Sequence, residues 1–343
     1  LGGSFRTDGS SRFHRSNRWG SFWSVSAAWR AIEEDFMSPA TNWLTDLKVR
    51  ASYGVNGTLP SSYFGYMGLS SLTNGYLEQP GIIRSQMMNN DLQWETNYNL
   101  NLGLDFALWN RINVTLEYYT RITRNLLMDR PISMTFDSYL MNIGEVKNQG
   151  IELDISSTNV KTKNFSWNTT FNISHNRNEI VKLDGLQTEI ISGNQIRKVG
   201  KPYRTFYLIE FAGVNPETGA PQFYTNETDK DGNLRKDITE SAGQARATVL
   251  DKHAEPDIIG GLSNMLRYKW FDLNFMFSCQ FGGYSYDTWA QKTEHGGNDM
   301  KANIPTYYRN SWKRPGDVTD YELFYEEPAV AMNKISTTRR LHS

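Results

Sequence analysis

The sequence predicts an all-β fold, a transmembrane antiparallel β-barrel whose neighbouring strands run alternately up and down. Three observations predict it. Apolar and polar residues alternate over long stretches, the connections between these stretches are alternately short and long, and tryptophan and tyrosine gather near the stretch ends. A period of two indicates a β-strand with one apolar and one polar face.

The longest alternating stretch is LQWETNYNLNLGLDFALWN, residues 92–110. From Leu92 to Leu108 every second residue is apolar or aromatic except Thr96, and the residues between them are polar, acidic or small. Strands of soluble proteins usually have about 5–6 residues, whereas a strand that crosses a bilayer needs about 9–11. A stretch this long therefore favours a membrane barrel over a soluble sandwich.

Six further stretches alternate in the same way and add strands to the predicted barrel. They are residues 19–30, 47–56, 111–122, 150–156, 165–176 and 271–281, so that about eight whole strands fit, with partial strands at both ends. Short connections lie at 109–111, 158–164 and 268–271, an intermediate one at 31–46, and long ones at 57–91, 128–147, 181–257 and 282–331. Alternate connections of an up-and-down sheet lie at opposite ends, so one rim has tight turns and the other long loops, as in outer-membrane barrels.

Composition agrees with this fold and excludes several classes of protein. Aromatic residues that suit membrane–water interfaces lie near stretch ends: Trp19, Trp29, Trp94, Trp109, Tyr118 and Trp270. No run of about 18 apolar residues exists, which excludes a transmembrane helix. The net charge of −1 gives no electrostatic footprint for nucleic acid, and the single Cys279 excludes internal disulfides and cysteine-cluster metal sites. No break in composition marks a second domain.

No pattern in the sequence predicts an enzyme or a cofactor. The histidines (His14, His175, His253, His295 and His342) are scattered, without an H-E-x-x-H motif or a suggestive triad spacing.

The segment NETDKDGNL, residues 226–234, is the one candidate metal loop. Glu227, Asp229 and Asp231 correspond to positions 1, 3 and 5 of a calcium loop, but position 12, where such a loop has Glu, is Ile238. We therefore predict a plain Asp-Gly turn without metal, with calcium as the alternative.

Aromatic residues on the predicted long loops are the best ligand candidates. They are Tyr63, Phe64, Tyr66, Tyr76, Tyr284, Tyr286, Trp289, Tyr307, Tyr308 and Trp312. Flat aromatic faces with polar edges suit sugar rings or peptide side chains. The alternative is that most of them pack their own loops or contact a partner.

Six phrases of the sequence occur in the same order in one known family. They lie at residues 8–37, 47–57, 92–127, 142–155, 199–219 and 271–283, and include LKVRASYGVNG, NIGEVKNQGIELDI and VGKPYRTFYLIEFAGVNPETG. Together they resemble the SusC/RagA family of TonB-dependent outer-membrane transporters over nearly the whole chain. The chain departs from the family at His14, where Gly is common, and at Trp23, where Pro is common.

The resemblance implies a larger protein than these residues. Family members have an N-terminal plug inside a 22-stranded barrel and a periplasmic segment that contacts TonB. They work with a SusD-like surface lipoprotein, often as a dimer of transporter–lipoprotein pairs, in the bacterial outer membrane. Residues 1–343 are then a later part of the barrel, without the plug.

The function that the resemblance implies is TonB-dependent nutrient import, with oligosaccharide favoured over peptide by frequency in the family. One alternative is a passive porin or adhesin barrel, which lacks a plug and a TonB-contacting segment. Another is a soluble β-protein that binds or cleaves glycans, which needs paired carboxylates on a concave face.

Overall fold

A computed structural model of the chain describes residues 1–76, 79–130, 139–183, 188–294, 303–324 and 336–343. The chain divides into two compact units. We call the first the sheet unit; it comprises Leu1–Ile190, Lys198–Tyr203 and Asp257–Phe281. We call the second the loop unit; it comprises Ile191–Arg197, Arg204–Pro256 and Gly282–Ser343.

Nine antiparallel strands form the main sheet, in the same order as in the chain. They are β1 (Gly2–Gly9), β2 (Trp19–Arg30), β3 (Leu44–Thr58), β4 (Glu95–Leu108), β5 (Ile112–Arg124), β6 (Glu145–Lys161), β7 (Phe165–Lys182), β8 (Ile258–Tyr268) and β9 (Phe271–Phe281). Each strand pairs with the next one along the chain. The predicted up-and-down antiparallel topology is confirmed for these strands.

Strand β4 begins later than the alternation predicts. The pattern starts at Leu92, whereas the strand starts at Glu95. Leu92 and Trp94 are only 0% and 9% exposed, because they pack in a cluster with Phe13 and Phe22. The alternation therefore continues past the end of the strand, and the prediction that Trp94 lies at a membrane interface is wrong.

The connections at one edge of the sheet are short, as predicted. Residues 109–111, 162–164 and 269–270 join β4 to β5, β6 to β7 and β8 to β9. Trp109 and Asn110 have φ angles of 51° and 52°, which match the type I′ turn that suits a two-residue hairpin loop. The connection from β2 to β3 contains two 3₁₀ helices, Ala31–Glu33 and Asp35–Ala40.

Long connections, residues 59–94, 125–144 and 183–257, leave the opposite edge of the sheet. The first connection at that edge, residues 10–18, is an exception because it is shorter than the connection that follows it, 31–43. Parts of the predicted long loops lie outside the described residues: 77–78, 131–138, 184–187, 295–302 and 325–335.

The two faces of the sheet differ as the alternation predicts. Leu102 on β4 is 44% exposed, and other apolar residues on the same face, such as Ile151 on β6 and Phe277 on β9, are exposed too. The opposite face carries Asn, Thr, Asp, Glu and Arg side chains joined by hydrogen bonds between strands. In the sheet unit, buried apolar side chains gather near the long connections instead, around Phe13 and Ile180.

Shorter elements complete the two units. The long connections of the sheet unit form two hairpins, Leu69–Tyr76 with Gln79–Gln86 and Leu127–Arg130 with Tyr139–Asn142. Further strands form sheets of four (Glu189–Ser192, Gln195–Lys198, Thr205–Ile209, Ala247–His253) and three (Phe211–Val214, Pro221–Tyr224, Ile238–Thr239). The loop unit also has one hairpin, Glu227–Thr228 with Leu234–Arg235, and a two-stranded sheet of Ser285–Tyr286 with Leu341–His342. Its helices are α1 (Thr288–Thr293) and the 3₁₀ helices Thr306–Asn310 and Thr338–Arg340.

Candidate functional site

Asn97 on β4 is the most fully bonded side chain of the polar face. It is fully buried, and its Oδ1 accepts hydrogen bonds from Nε and Nη2 of Arg121 at 3.0 and 2.8 Å and from Oγ1 of Thr123 at 2.8 Å. Its Nδ2 donates to Oγ1 of Thr58 at 2.9 Å. The bonds hold three neighbouring strands and offset the cost of burying the amide.

Gly103 lets a charged side chain cross the polar face. The guanidinium of Arg50 on β3 passes over this glycine of β4 and donates to Glu117 on β5. It also donates to Asp105, with Nε 3.1 Å from Oδ2. A Cβ atom on Gly103 would lie 2.6 Å from Cζ of Arg50, so the missing side chain opens the path.

Gly150 on β6 likewise leaves room for the side chain of Tyr119 to cross the polar face. The hydroxyl of Tyr119 on β5 reaches across β6 and donates to Oδ1 of Asn176 on β7. A Cβ atom on Gly150 would lie 2.6 Å from the carbonyl oxygen of His175 and 2.7 Å from Cε1 of Tyr119. The result is a hydrophilic wall with cross-linked side chains, which suits the lining of a water-filled passage.

The predicted ligand residues of the sheet unit lie at separate places on its long connections. Tyr63 and Phe64 are exposed, and the guanidinium carbon of Arg12 lies 4.1 Å from the Tyr63 ring centroid. Tyr66 is half-buried against the cluster of Phe13 and Trp94, so it packs its own loop. Tyr76 ends a strand, and its side chain lies outside the described part of the structure.

In the loop unit, Tyr284 and Tyr286 pack against a cluster that contains Phe206 and Leu341. Trp289 on α1 is exposed, and Asp287 caps that helix by accepting a hydrogen bond from the backbone N–H of Ala290 at 2.8 Å.

Trp312 is only 8% exposed. It donates from Nε1 to the carbonyl oxygen of Pro216 at 2.8 Å, and its ring fills the space where a Cβ atom on Gly219 would lie. The indole therefore holds two segments of the loop unit together.

Tyr307 lies at the edge of a cleft of about 510 Å³ within the loop unit. We call it the tyrosine cleft. Its walls include Glu294, Tyr307, Asp320, Tyr321, Arg339 and Arg340, with Phe211 and Asp287 beside them. The Tyr307 and Tyr321 ring centroids are 5.1 Å apart, and Tyr307 keeps 38% of its surface exposed. Tyr308, at 4% exposure, lies behind them.

A buried network of charges supports the tyrosine cleft. Arg339 donates from Nη1 to Oε2 of Glu322 at 2.6 Å and from Nη2 to Oε2 of Glu294 at 3.1 Å. Nε of Arg340 donates to the same Glu294 oxygen at 3.0 Å. The tyrosine hydroxyls complete the network, because Tyr307 donates to Glu294 at 3.0 Å and Tyr308 to Glu322 at 2.8 Å.

The network raises the pKa values of Tyr307, Tyr308 and Arg339, which reinforces the protonation these three groups ordinarily have at neutral pH. Burial, followed by the nearby charge of Glu294, raises the pKa of Tyr307 to about 12. Burial and Glu322 raise the pKa of Tyr308 as well. Burial disfavours the charge of Arg339, but Glu322, Tyr308 and Glu294 outweigh it and hold the guanidinium pKa above its ordinary value. The tyrosines therefore stay neutral donors and the arginine stays charged.

Sequence reasoning found Tyr307 but missed the charges around it. Arg339 and Arg340 are visible in the sequence as adjacent arginines, but their partners Glu294 and Glu322 are 45 and 17 residues from Arg339. Glu294 follows a helix of six residues, and nothing in the sequence marks it as buried. Only the folded loop unit brings these residues together.

The candidate calcium segment forms a tight hairpin. Oδ1 of Asp229 accepts hydrogen bonds from the backbone N–H groups of Asp231 at 2.9 Å and Asn233 at 2.8 Å. Gly232 has a φ angle of 86°, which favours glycine. These bonds lower the pKa of Asp229, and the carboxylate organises the turn.

Among the described residues, no three His, Cys, Asp or Glu side chains gather closely enough to hold a metal ion. None of the helices there combines the length and the apolar character that crossing a membrane requires. His295 lies outside the described residues.

Comparison with known proteins identifies the family. The sequence model of the family described as TonB dependent receptor-like, beta-barrel, matches residues 1–251. The chain belongs to this TonB-dependent receptor family. Its members are receptors and transporters of the bacterial outer membrane, so the nine-stranded sheet is part of an outer-membrane barrel and its exposed apolar face lies against lipid.

Curated relatives of this chain include two TonB-dependent receptors from different bacteria. TonB-dependent receptor P3 of Formosa agariphila is 32% identical over 97% of this chain and 34% of its own length. TonB-dependent receptor SusC of Bacteroides thetaiotaomicron is 32% identical over 82% of this chain and 29% of its own length. The chain thus spans about a third of the length of the curated relatives it matches.

Solved structures support the same family. The RagAB peptide transporter superimposes with a TM-score of 0.85 at 29% identity, over 99% of this chain and 37% of that one. The RagAB peptide importer in its open-open state gives a TM-score of 0.81 at 28% identity, over 99% and 36%. The resemblance to SusC/RagA is confirmed.

Proposed function

We propose that the protein containing this chain imports a nutrient across the outer membrane, with energy supplied through TonB. The observation that carries the proposal is the two-faced sheet, whose apolar row is exposed and whose polar row is cross-linked by hydrogen bonds. Such a wall separates lipid from a hydrated passage. Residues 1–343 supply a later part of the barrel, and the rest of the protein supplies the plug and the TonB-contacting segment.

An oligosaccharide is the substrate class we favour. Support comes from the aromatic residues of the long connections. The resemblance to the SusC/RagA family adds to it, because that resemblance implies oligosaccharide more often than peptide. Peptide import is the second candidate, because the superimposed RagAB structures are those of a peptide transporter. Substrate contacts are proposed at Tyr63, Tyr66, Tyr284, Tyr286, Trp289 and Tyr307, whereas the buried Trp312 is proposed only to hold the loop unit in shape.

A SusD-like surface lipoprotein is the proposed partner, in a dimer of transporter–lipoprotein pairs. The exposed aromatic side chains of the long connections suit such a contact. Affinity purification of the full-length protein in mild detergent should recover a lipoprotein encoded at the same locus. Recovery of the barrel alone under several gentle conditions would contradict this pairing.

Uptake in cells tests the proposed function. Deletion of the full gene should abolish uptake of one or more fluorescent oligosaccharides, and deletion of tonB should have the same effect. Uptake that continues without TonB would indicate a passive porin. Loss of peptide uptake alone would assign peptides as the substrate.

A further inference from the structure

We propose that the tyrosine cleft binds an uncharged sugar ring and discriminates against anionic glycans. The inference rests on the proposed function, because it names a place where the transported substrate is recognised. It concerns only residues of the loop unit, and it assigns the cleft a ligand with a flat apolar face, several hydroxyl groups and no net charge.

The aromatic wall provides the flat surface. Tyr307 and Tyr321 lie with their ring planes 34° apart, and Tyr307 presents its exposed surface to the cleft. The hydroxyl of Tyr307 is held by Glu294, which fixes the ring before any ligand arrives. A rigid, half-exposed aromatic ring beside polar groups suits the C–H face of a pyranose.

The charges of the cleft disfavour an anionic ligand. Both guanidinium groups already bond to buried carboxylates, Arg339 to Glu294 and Glu322, and Arg340 to Glu294. The cleft is lined by three carboxylates, those of Asp287, Glu294 and Asp320, against these two guanidinium groups, and Glu322 behind the lining adds a fourth carboxylate. Uronic acids and sulfated sugars would meet repulsion there.

Two of the aromatic faces of the cleft are closed to a cationic ligand. The guanidinium carbon of Arg339 lies 4.9 Å from the Tyr321 ring centroid and 5.4 Å from that of Phe211. The faces that would attract a ligand ammonium group therefore already hold a cation. What is left for a ligand is the Tyr307 ring and the exposed carboxylate of Asp320, which accepts hydrogen bonds from sugar hydroxyls.

Binding to the full-length protein, purified with its lipoprotein partner in detergent, tests the proposal. The probes are labelled hexaoses: the neutral maltohexaose, cellohexaose, laminarihexaose, mannohexaose and xylohexaose, the anionic hexagalacturonate and the cationic chitosan hexamer. A casein digest serves as the peptide arm. At least one neutral hexaose should bind, and Tyr307→Ala should weaken that binding about tenfold.

Three further variants separate recognition from folding. Tyr307→Phe keeps the ring and should bind within about threefold of wild type. Asp320→Ala removes an exposed acceptor without disturbing the buried network, and should also weaken binding. Tyr224→Ala is the matched control, because its ring lies outside the cleft beside Lys236 and its loss should leave binding unchanged.

Four results would overturn the proposal: no neutral hexaose binds, a charged hexaose binds more tightly than every neutral one, only peptides bind, or Tyr307→Ala and Asp320→Ala both bind as wild type does. Uptake in cells is read separately. If uptake depends on TonB but the Tyr307→Ala and Asp320→Ala variants bind as wild type does, this inference is rejected while the proposed function stands.

Discussion

Single glycines decide which side chains of the polar face reach a partner two strands away. Gly103 lies under the guanidinium of Arg50, and Gly150 lies under the ring of Tyr119. In each case a long side chain crosses a neighbouring strand and bonds beyond it, which ties three strands together. The alternation predicts that these positions face the polar side, but not that they must lack a side chain.

Gly150→Ala should destabilise the full-length barrel by about 1–3 kcal/mol, the usual cost of overpacking. The new Cβ atom would meet the backbone oxygen of His175, which cannot swing aside, as well as the Tyr119 ring. The measurement is the temperature at which heat-modifiable gel mobility is lost. Gly243→Ala is the control, since only Oγ of Ser241 at 3.8 Å lies near its Cβ position. Equal stability of the two variants would contradict the crossing role of Gly150.

Neighbouring residues of β4 should respond oppositely to a new charge. Leu102→Arg should destabilise the barrel by about 2–4 kcal/mol, because it places a charge against lipid near mid-membrane. Asn101→Arg should leave stability nearly unchanged, since Asn101 lies on the hydrated face. The same gel assay measures both variants, and equal damage from both would show that the faces are assigned wrongly.

Leu102→Phe distinguishes lipid from a protein core. Lipid tolerates the change of shape, whereas a close-packed core loses about 1–3 kcal/mol when it is overpacked. Strong damage from Leu102→Phe would place Leu102 in a packed core.

At the scale of elements, the sequence predicts the strands well because their burial is local and periodic. In β4, residues Glu95–Leu108 alternate throughout except at Thr96 and form the strand. The start of the strand is mispredicted because Leu92 and Trp94 are apolar for another reason: they pack with Phe13 and Phe22. The period of two alone cannot distinguish such tertiary packing from the apolar face of a strand.

The tyrosine cleft could not be predicted in the same way. Its members come from segments around residues 211, 287–294, 307–322 and 339–342, which have no shared period. The sequence predicts Tyr307 as a candidate because it is an aromatic residue on a long connection. It does not predict that Glu294 and Glu322 are buried, because an isolated glutamate in a polar loop is expected to face solvent. Only the fold shows the arginine beside each of them.

The buried ion pairs of the loop unit should contribute far more to its stability than its exposed ion pairs. Glu322→Gln should destabilise this unit by about 3–5 kcal/mol, because it leaves the buried guanidinium of Arg339 to share Glu294 with Arg340. Asp237→Asn, which breaks the exposed pair with Arg235, should cost at most about 1 kcal/mol. Limited proteolysis of the native full-length protein measures the local opening of the loop unit. Equal cleavage rates for the two variants would contradict the buried network.

At the scale of the whole molecule, the unequal edges of the sheet predict its orientation. We expect residues 57–91, 181–257 and 282–331 to face outward from the cell, since outer-membrane barrels place their long loops there. Protease added to intact cells should cut within these segments and spare 109–111 and 162–164. Cleavage confined to the short turns would invert the topology.

Nitroxide labels placed one at a time along β4 test the central claim most directly, that one face of the sheet lies against lipid and the other lines a hydrated passage. The full-length protein is labelled at successive positions from Asn97 to Phe106, after every native cysteine, Cys279 included, has been replaced by Ser. Collision rates with oxygen and with a water-soluble nickel complex are measured in vesicles. We expect oxygen to dominate at Leu100, Leu102 and Leu104, and the nickel complex to dominate at Asn99, Asn101 and Asp105. The account would be contradicted if accessibility to the nickel complex did not alternate along β4. It would also be contradicted if that accessibility were highest at the leucines.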